Sequence, residues 1–317
     1  MIEYKRTSFH LSSAGRLLGH LSVKFKVAIM GHILNFPWYS RMERRRIRGN
    51  ATRKAVLSYL DRYVPFVFTS EDSSADGPVK EYIFSIWFQG EENAPDVVQA
   101  CWNSIRRNCS LELVVLDEKS IFEWIDLPDY VVSKWRSGKM KHAHFADICR
   151  IELLYRYGGL WMDATDYVFS DIPQWLMDQD FFVYMSGNSL KGFYSYIQNC
   201  FIRSKKKSYL IQVWRNAVLK YWEHEESAVD YFVHQLLFLK VVRSDRRAEE
   251  NLAAMPSLIQ DPTHVLWYEY ADKDYDSEVL ATLASSAVFH KMEYKSASAV
   301  SPRPGSFADV LINPDII

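Results

Sequence analysis

The chain has 317 residues, a length that suits one large α/β domain or one domain with an appendage. Its content of 48% hydrophobic and 15% aromatic residues is ample for a packed core and excludes global disorder. The net charge of −1 is unevenly distributed along the chain, because residues 1–56 contain twelve Lys or Arg and only two Glu. The remainder is acidic, which argues against a nucleic-acid-binding face there and favours an anionic partner for the basic region.

Residues 10–60 are predicted to form a helical arm, because apolar residues recur there at spacings of three and four. These residues are Leu18, Leu21, Phe25, Ile29 and Ile33. Trp38 and Tyr39 then precede the basic block R-M-E-R-R-R-I-R. This order is typical of an interfacial helix, so we expect residues 1–56 to bind an anionic membrane surface. The alternatives are a helix that packs on the catalytic domain or on a partner chain, and a basic arm that binds nucleic acid.

The sequence predicts two domains, a basic helical arm at 1–70 and a larger domain at 80–317, joined by the polar, turn-rich residues 70–78. The longest uncharged run of the arm, 27–40, is too short to span a bilayer, and no signal peptide is apparent. The four cysteines match no zinc or redox spacing. We therefore expect a cytoplasmic protein that lies peripherally on the inner face of the membrane.

Strand and helix patterns alternate through the larger domain, which predicts an α/β fold with a mostly parallel central sheet. The predicted strands are 82–88, 111–116, 160–162, 181–185 and 196–203. The predicted helices are 96–107, 142–157, 208–222 and 229–242. Gly158 and Gly159 are expected to end the helix 142–157, just before the short strand that leads to Asp163.

Oxygen-bearing side chains follow that short strand at Asp163, Thr165 and Asp166. Ligands of open α/β sheets gather beyond the carboxyl ends of strands, and hard cations such as Mg²⁺ or Mn²⁺ take oxygen ligands. A divalent metal that neutralises a diphosphate leaving group would suit these residues. The alternative is that the acidic residues only cap a turn.

The helix before this strand carries His144, Asp147 and Arg150 at intervals of three, and therefore on one face. An Asp and an Arg together can hold sugar hydroxyls by hydrogen bonds. The alternative is an intrahelical ion pair, which is the interpretation we give to Glu152 and Arg156.

Two segments resemble the capsular polysaccharide synthesis glycosyltransferases. They are W-F-Q-G-E-E-N-A-P-D and K-M-K-H-A-H-F-A-D-I-C-R-I-E-L-L-Y-R-Y-G-G-L-W-M-D-A-T-D. The chain is similar to glycosyltransferase family 32 and, more distantly, to the large clostridial glucosylating toxins, over residues 80–295 and without the arm. This resemblance implies a GT-A fold, a nucleotide-sugar donor such as a UDP-sugar, a divalent cation (Mn or Mg) and retention of anomeric configuration.

The resemblance also implies roles for individual residues. Trp87 resembles the aromatic that stacks on the donor base, with Gln89 beside it, and Asp147 and Arg150 match the residues that hold the donor sugar. Asp163 matches the first acid of the D-x-D motif and is a catalytic candidate.

The chain departs from the D-x-D motif after its first acid. Thr165 stands where the second acid would be, and Asp166 follows one residue late. Either Thr165 binds the metal through its hydroxyl or water, or the turn brings Asp166 to the ion.

The C-terminal segment V-F-H-K-M-E-Y-K resembles the closing segment of the family. His290 is a candidate metal ligand, and Lys291 and Lys295 are candidate diphosphate ligands. Asp230 is a candidate catalytic residue that faces the anomeric carbon or the acceptor. The alternatives are a structural histidine and an acid that interacts with a helix dipole.

Together these observations predict a retaining hexosyltransferase that extends a glycan or lipid-linked acceptor in capsule or surface polysaccharide synthesis. Its partners would be a nucleotide-sugar donor, that acceptor and an anionic membrane, without nucleic acid. The alternative is a non-catalytic assembly factor of GT-A fold that binds glycan or membrane.

Overall fold

The structure is a computed structural model that describes residues 13–33, 41–64, 80–187 and 195–313. The predicted linker and the pair Trp38 and Tyr39 lie outside these residues. The strands are β1 (Ile83–Ile86), β2 (Leu113–Leu116), β3 (Gly159–Met162), β4 (Asp166–Tyr167), β5 (Phe181–Met185), β6 (Ile197–Ser204) and β7 (His290–Lys291). The helices are α1 (Ser13–Ile33), α2 (Arg41–Leu60), α3 (Asp96–Asn108), α4 (Ile121–Trp124), α5 (Asp129–Arg136), α6 (His142–Tyr157), α7 (Gln174–Met177), α8 (Tyr209–His224), α9 (Val233–Ser244), α10 (Arg246–Ala254), α11 (Asp261–Val265), α12 (Ser277–Ala284), α13 (Ala297–Val300) and α14 (Phe307–Ile312).

A five-stranded sheet forms the centre of the larger domain, in the order β2-β1-β3-β6-β5. β1 pairs in parallel with both β2 and β3, whereas β6 is antiparallel to β3 and to β5. Four of these five strands therefore run in one direction and β6 runs in the other. The predicted α/β fold with a mostly parallel sheet is confirmed, and it agrees with the GT-A type.

Helix α6 has the residues that were predicted for it and is buried along most of its length. Every residue from His144 to Leu154 is buried, because α6 contacts β1, β3 and β6 on one side and α8 on the other. A helix that is buried all round must find partners for its polar side chains within the protein. Asp147 and Arg150 are therefore held by neighbouring residues, as described below.

The two glycines after α6 are required by close backbone contacts. Both have positive φ, 73° at Gly158 and 93° at Gly159, which disfavours residues with a side chain. A Cβ at Gly159 would lie 2.3 Å from the carbonyl oxygen of Tyr82, just before β1. These glycines let the chain turn sharply from α6 into β3, and β3 then leads directly to Asp163.

The helical arm packs against the larger domain. Helix α2 contacts α1 and α9, and Val56 and Leu60 belong to the same hydrophobic core as the central sheet. Residues 1–70 and 80–317 therefore share one core where the structure describes them, which agrees with the alternative of a helix that packs on the larger domain. The reason is that apolar residues of α2 continue to its C-terminal end, where they cover α9.

A buried carboxylate, Glu225, ties the arm to the end of α8. The hydroxyls of Tyr59 and Tyr63 donate to its Oε1, and Nε2 of His20 lies 3.1 Å from its Oε2. Burial raises the pKa of Glu225, but His20 and the two tyrosines outweigh burial, so that the pKa lies below its ordinary value.

We expect Glu225→Ala to lower the free energy of unfolding by about 2–4 kcal/mol at neutral pH, because it leaves buried hydroxyls without an acceptor. Since the folded-state pKa is depressed, this stabilisation is present above the unfolded-state pKa and is lost as pH falls through the folded-state value. Denaturant titration of both proteins at pH 7 and in acid measures it. The control is Glu226→Ala, whose half-exposed side chain pairs with Lys139, and which should cost at most about 1 kcal/mol. Equal losses in the two variants would contradict this role for Glu225.

Candidate active site

The candidate site lies at the carboxyl end of β3, where Asp163 follows Met162. The N–H of Asp163 donates to the carbonyl of Cys200 on β6 at 2.8 Å, which places the residue at the edge of the sheet. Three residues later along the chain, β4 begins and pairs with β7, and Asp166 lies opposite Lys291 in that pairing. The short strand pair therefore brings a C-terminal lysine to the turn that carries the two acids.

Asp163 and Asp166 share one cationic side chain. Nζ of Lys291 donates to Oδ2 of Asp163 at 2.9 Å and to Oδ1 of Asp166 at 3.0 Å. The Asp166 side chain is fully buried, whereas 29% of the Asp163 side chain is exposed. The pair is thus open to solvent on the Asp163 side.

The ionisation of this group follows from its burial and its charges. Burial raises the pKa of Asp166 to about 7, with Lys291 opposing this effect and Asp163 adding to it. Burial also favours the neutral form of Asp163, but Lys291 and Arg150 outweigh it and hold the pKa of Asp163 below its ordinary value. Burial lowers the pKa of Lys291, yet Asp163 and Asp166 raise it well above its ordinary value, so the ammonium is charged at neutral pH.

Arg150 connects this pair to Asp147 on α6. Its Nη2 lies 3.4 Å from Oδ1 of Asp147 and 3.5 Å from Oδ1 of Asp163. The guanidinium also stacks over Trp161, with Cζ 4.8 Å from the ring centroid. Burial raises the pKa of Asp147, but the charge of Arg150 and the neighbouring imidazoles of His234 and His144 outweigh it and lower the pKa. The intrahelical pair that the sequence left as an alternative is therefore real, and it is also part of a larger network.

Two amides that the sequence analysis missed complete this network. Nδ2 of Asn199 donates to Oδ1 of Asp147 at 2.8 Å, and the backbone carbonyl of Asn199 accepts from Arg150. Nε2 of Gln235 donates to Oδ1 of Asn199 at 3.0 Å, while Oε1 of Gln235 is buried without a hydrogen-bond partner. Asn199 lies within a predicted strand and Gln235 within a predicted helix, and no local spacing links either residue to Asp147.

His234 adds a neutral polar surface beside Asp147. Its ring is 2% exposed, and neither ring nitrogen has a hydrogen-bond partner among the residues described. Burial lowers the pKa of His234 to about 3, so the ring is uncharged at neutral pH. The ring can therefore both donate and accept a hydrogen bond, which suits a ligand with hydroxyl groups.

Trp87, Gln89 and Lys295 lie on a second side of the site. Trp87 follows β1, and its half-buried ring meets Tyr294 edge to face with centroids 5.2 Å apart. Nζ of Lys295 lies over the Tyr294 ring, 5.1 Å from the centroid. Gln89 is exposed, and its backbone carbonyl accepts from Nδ2 of Asn93 at 2.7 Å. An aromatic pair flanked by an exposed lysine is suited to a base and a phosphate.

His290 is not brought to the acidic pair. It precedes Lys291 in β7, and successive side chains of a strand point to opposite faces. Its buried ring lies against Phe169, with centroids 5.3 Å apart, and burial lowers its pKa to about 4. The structure thus favours the alternative of a structural histidine.

Asp230 and Thr165 occupy turns beside the site. Oδ1 of Asp230 accepts from the N–H of Phe232 at 2.8 Å, and its carbonyl accepts from the N–H of Val233, so the helix begins later than predicted. The next residue, Tyr231, has its ring 6.1 Å from that of His144, which places this turn at the rim of the site. Thr165 is buried, and its carbonyl accepts from the N–H of Met292 at 2.8 Å.

A divalent cation fits the carboxylate pair by its donor chemistry. The two aspartates converge on a single cation, and Mg²⁺ or Mn²⁺ commonly takes one or two carboxylates and completes its shell with phosphate and water. The residues described include no group of three or more His, Cys, Asp or Glu that could hold a metal without such additional ligands. Any such ion would therefore depend on the ligand for its remaining oxygens.

Fold and site together define an α/β protein of GT-A type, with an acidic pair at the carboxyl edge of the sheet and an Asp–Arg pair beside it. The sequence model described as capsular polysaccharide synthesis protein matches residues 36–309, so the chain belongs to that family. The matched region is wider than the expected 80–295 and includes α2. This agrees with the packing of α2 against the core.

Two curated proteins are similar to part of the chain. Glycosyltransferase afumC of Aspergillus fumigatus is 25% identical over 216 residues, which are 60% of this chain and 51% of that protein. O-glycosyltransferase braB of Annulohypoxylon truncatum is 24% identical over 171 residues, 49% of this chain and 41% of that protein. The chain thus spans about half the length of these relatives or less. Among solved structures, PaToxG Glycosyltransferase is 14% identical with a TM-score of 0.40, and the match covers 66% of this chain and 84% of that one.

Proposed function

We propose that this protein is a glycosyltransferase that moves a sugar from a nucleoside-diphosphate donor, such as a UDP-sugar, to a glycan acceptor in capsular or surface polysaccharide synthesis. The observation that carries the proposal is the continuous network that runs from Asp147 through Arg150 to Asp163 and Lys291 at the carboxyl edge of the sheet. This network offers a polyol-binding part and a cationic part in contact with each other, as the two halves of a nucleotide sugar require.

The polyol-binding part consists of Asp147, Arg150 and the amides of Asn199 and Gln235. Their mutual hydrogen bonds fix each group before a ligand binds, which lowers the entropy lost on binding. The unpartnered atoms of His234 and Gln235 supply further hydrogen-bonding capacity. We infer that the sugar hydroxyls bind here, and that this orientation presents the anomeric carbon to the acceptor.

The cationic part would receive the diphosphate. Lys291 at the acidic pair and the exposed Lys295 beside Tyr294 supply positive charge, and Trp87 with Tyr294 supplies a surface for the base. A divalent cation held by Asp163 and Asp166 would neutralise charge on the leaving diphosphate. Thr165, which follows in the same turn, would act only by holding that turn in place.

Retention of configuration is part of the proposal. An inverting transferase needs a general base, but Asp147 and Asp163 have lowered pKa values and are paired with cations, which makes them weak bases. The Asp166 side chain is fully buried, so it is not exposed to an acceptor that approaches from solvent. Asp230 lies at the rim of the site and remains our candidate for contact with the acceptor.

The experiment is a panel of nucleotide sugars, each incubated with the protein with Mn²⁺ and with EDTA, and assayed for hydrolysis and for transfer to glycan acceptors. We expect turnover of one donor that depends on Asp163, as the Discussion argues. A protein that neither binds nor hydrolyses any nucleotide sugar would contradict the proposal and would favour a non-catalytic assembly factor.

We further propose that α1 attaches the enzyme to an anionic membrane surface. Exposed apolar side chains recur along one side of α1, at Leu17, Leu18, Leu21, Phe25 and Ile29. Exposed Lys24 and Lys26 flank this stripe, and α2 adds the exposed Arg46 and Arg48. No helix among the described residues is long and apolar enough to cross a membrane. A helix with an apolar face flanked by cationic side chains instead suits the interface between lipid and water. The cytoplasmic leaflet of the membrane carries the anionic lipids that such cations bind.

For the double variant Leu18→Glu/Phe25→Glu we expect flotation with anionic liposomes to weaken by more than about tenfold, because two apolar side chains are lost from the buried face. Density-gradient flotation at low and high salt measures it. The matched control is Leu258→Glu/Val300→Glu, two exposed apolar residues outside the arm, which should float as the wild type does. A wild-type protein that fails to float, or that forms an oligomer through α1 instead, would refute the membrane proposal.

A further inference from the structure

We propose that Lys291 is an exchangeable counter-ion of the acidic pair. In the donor-free protein its ammonium occupies the position between Asp163 and Asp166. When a nucleoside diphosphate binds, the ammonium gives up that position to a divalent cation and moves to the diphosphate. This inference rests on the proposed function and specifies how the same site changes its charge when it binds a donor.

The four carboxylate oxygens of the pair leave a cation only one place to bridge them. Oδ1 of Asp163 accepts from Nε1 of Trp161 at 2.8 Å, and Arg150 approaches the same oxygen. Oδ2 of Asp166 accepts from the N–H of Asp163 at 3.1 Å. The remaining two oxygens, one on each residue, are those that bind Lys291. An ion that bridges both carboxylates through these two oxygens must therefore displace the ammonium.

Charge balance gives a reason for the exchange. While Lys291 bridges the two carboxylates, its positive charge is already matched and contributes little to an arriving diphosphate. A divalent ion in the same place would match both carboxylates and leave Lys291 free to bind a phosphate oxygen. Two cations at one position repel each other, so the ion and the ammonium exclude one another there.

The surroundings of Lys291 permit a movement of this kind. Its side chain is 17% exposed, and 29% of the Asp163 side chain that it contacts is exposed. A lysine side chain has a flexible stem and a single compact charge, so the ammonium can relocate without moving the backbone of β7. Tyr294 and Lys295 follow in the next turn beside Trp87, which is the side on which we place the nucleotide.

The exchange predicts that the donor-free protein binds metal weakly. When a site is competent only in a minor fraction of molecules, its apparent affinity falls in proportion to that fraction. If Lys291 occupies the bridging position in about nine molecules of ten, removing its charge raises the affinity about tenfold. A nucleotide that draws Lys291 away should have a similar effect on the wild type.

Calorimetric titration with MnCl₂, in the absence and presence of UDP, tests this inference. We expect Lys291→Met to bind Mn²⁺ at least about tenfold more tightly than the wild type without UDP. UDP supplies oxygen ligands to the ion in both proteins, but its strengthening of Mn²⁺ binding should be larger in the wild type, where it also draws Lys291 away. The control is Lys220→Met, which removes the charge of a partly exposed lysine on α8 that pairs with Glu223 and should leave Mn²⁺ affinity unchanged. Equal affinity of Lys291→Met and wild type, or an equal gain in both variants, would overturn the exchange.

Should Lys291→Met fail to fold, the wild type alone provides the test. The exchange requires UDP to raise its Mn²⁺ affinity by about tenfold or more, and no such coupling would overturn the inference. The proposed function fails by a different result, namely absence of transfer from every nucleotide sugar. If the enzyme transfers sugar normally but its Mn²⁺ affinity is the same with and without the Lys291 charge, the exchange is refuted and the proposed function stands.

Discussion

Asp163→Asn is expected to lower kcat/KM for sugar transfer by about a hundredfold to a thousandfold, the scale of losing one preorganised electrostatic contact. Asparagine has nearly the same shape, so the bond from Nε1 of Trp161 can persist. What is lost is the negative charge that, together with Asp166, holds a cation at the edge of the sheet. The substitution thus removes charge and leaves the turn in place.

The measurement is initial-rate transfer with the donor found in the panel, together with thermal unfolding to confirm the fold. Asp178→Asn is the matched control, since Asp178 is exposed and its side chain accepts from Nε2 of Gln174. The control should keep full activity. An Asp163→Asn enzyme with wild-type kcat/KM would show that the acidic pair is not the catalytic centre.

Arg150→Ala is expected to reduce transfer by more than about a hundredfold and also to destabilise the protein by about 3–5 kcal/mol, because it leaves buried carboxylates without their partner. Arg150 forms ion pairs with both Asp147 and Asp163. Without it, one of the charges that lower the pKa of Asp147 is lost, and that pKa rises. The acid limb of the pH–rate profile should therefore move to higher pH in the variant.

Arg150→Lys separates charge from geometry. It keeps a positive charge but loses the planar fork that reaches two carboxylates, so we expect activity between those of wild type and Arg150→Ala. Arg156→Ala, two turns further along the same helix, is the control. Arg156 pairs with Glu152 and Asp126, and Arg215 still binds Glu152 in the variant. An unshifted pH profile in Arg150→Ala would argue that Asp147 takes no part in the reaction.

Local signals in the sequence predicted the elements that carry the site. Helix α6 has its predicted bounds because glycines with positive φ end it, and that requirement is visible as G-G. The strand pattern before Asp163 predicted β3, and a strand end is where a functional acid is expected. The Asp147–Arg150 pair was predicted because their spacing of three residues places them on one face of a helix. Each of these inferences depends only on residues that are close in sequence.

Contacts between distant segments decided the rest. The sequence left Thr165 and Asp166 as alternatives; a local turn holds the carboxylate of Asp166 beside Asp163, and the pairing of β4 with β7 brought Lys291 to both acids. The same pairing directs the His290 side chain away from the acidic pair, because neighbouring residues of a strand face opposite sides. A one-residue change of register would exchange the positions of His290 and Lys291. Asn199 and Gln235 joined the site through β6 and α9, and α2 joined the core through α9.

The sequence by itself therefore determined the α/β class, the family resemblance, and the positions of Asp147, Arg150 and Asp163. Only the tertiary structure decided that Lys291, and not His290, faces Asp163 and Asp166, and that the arm shares the core. The physical reason is that helix and strand periodicity depends on residues that are neighbours in sequence. The register of β4 with β7, and with it the partner of Asp163, depends on packing between segments more than one hundred residues apart.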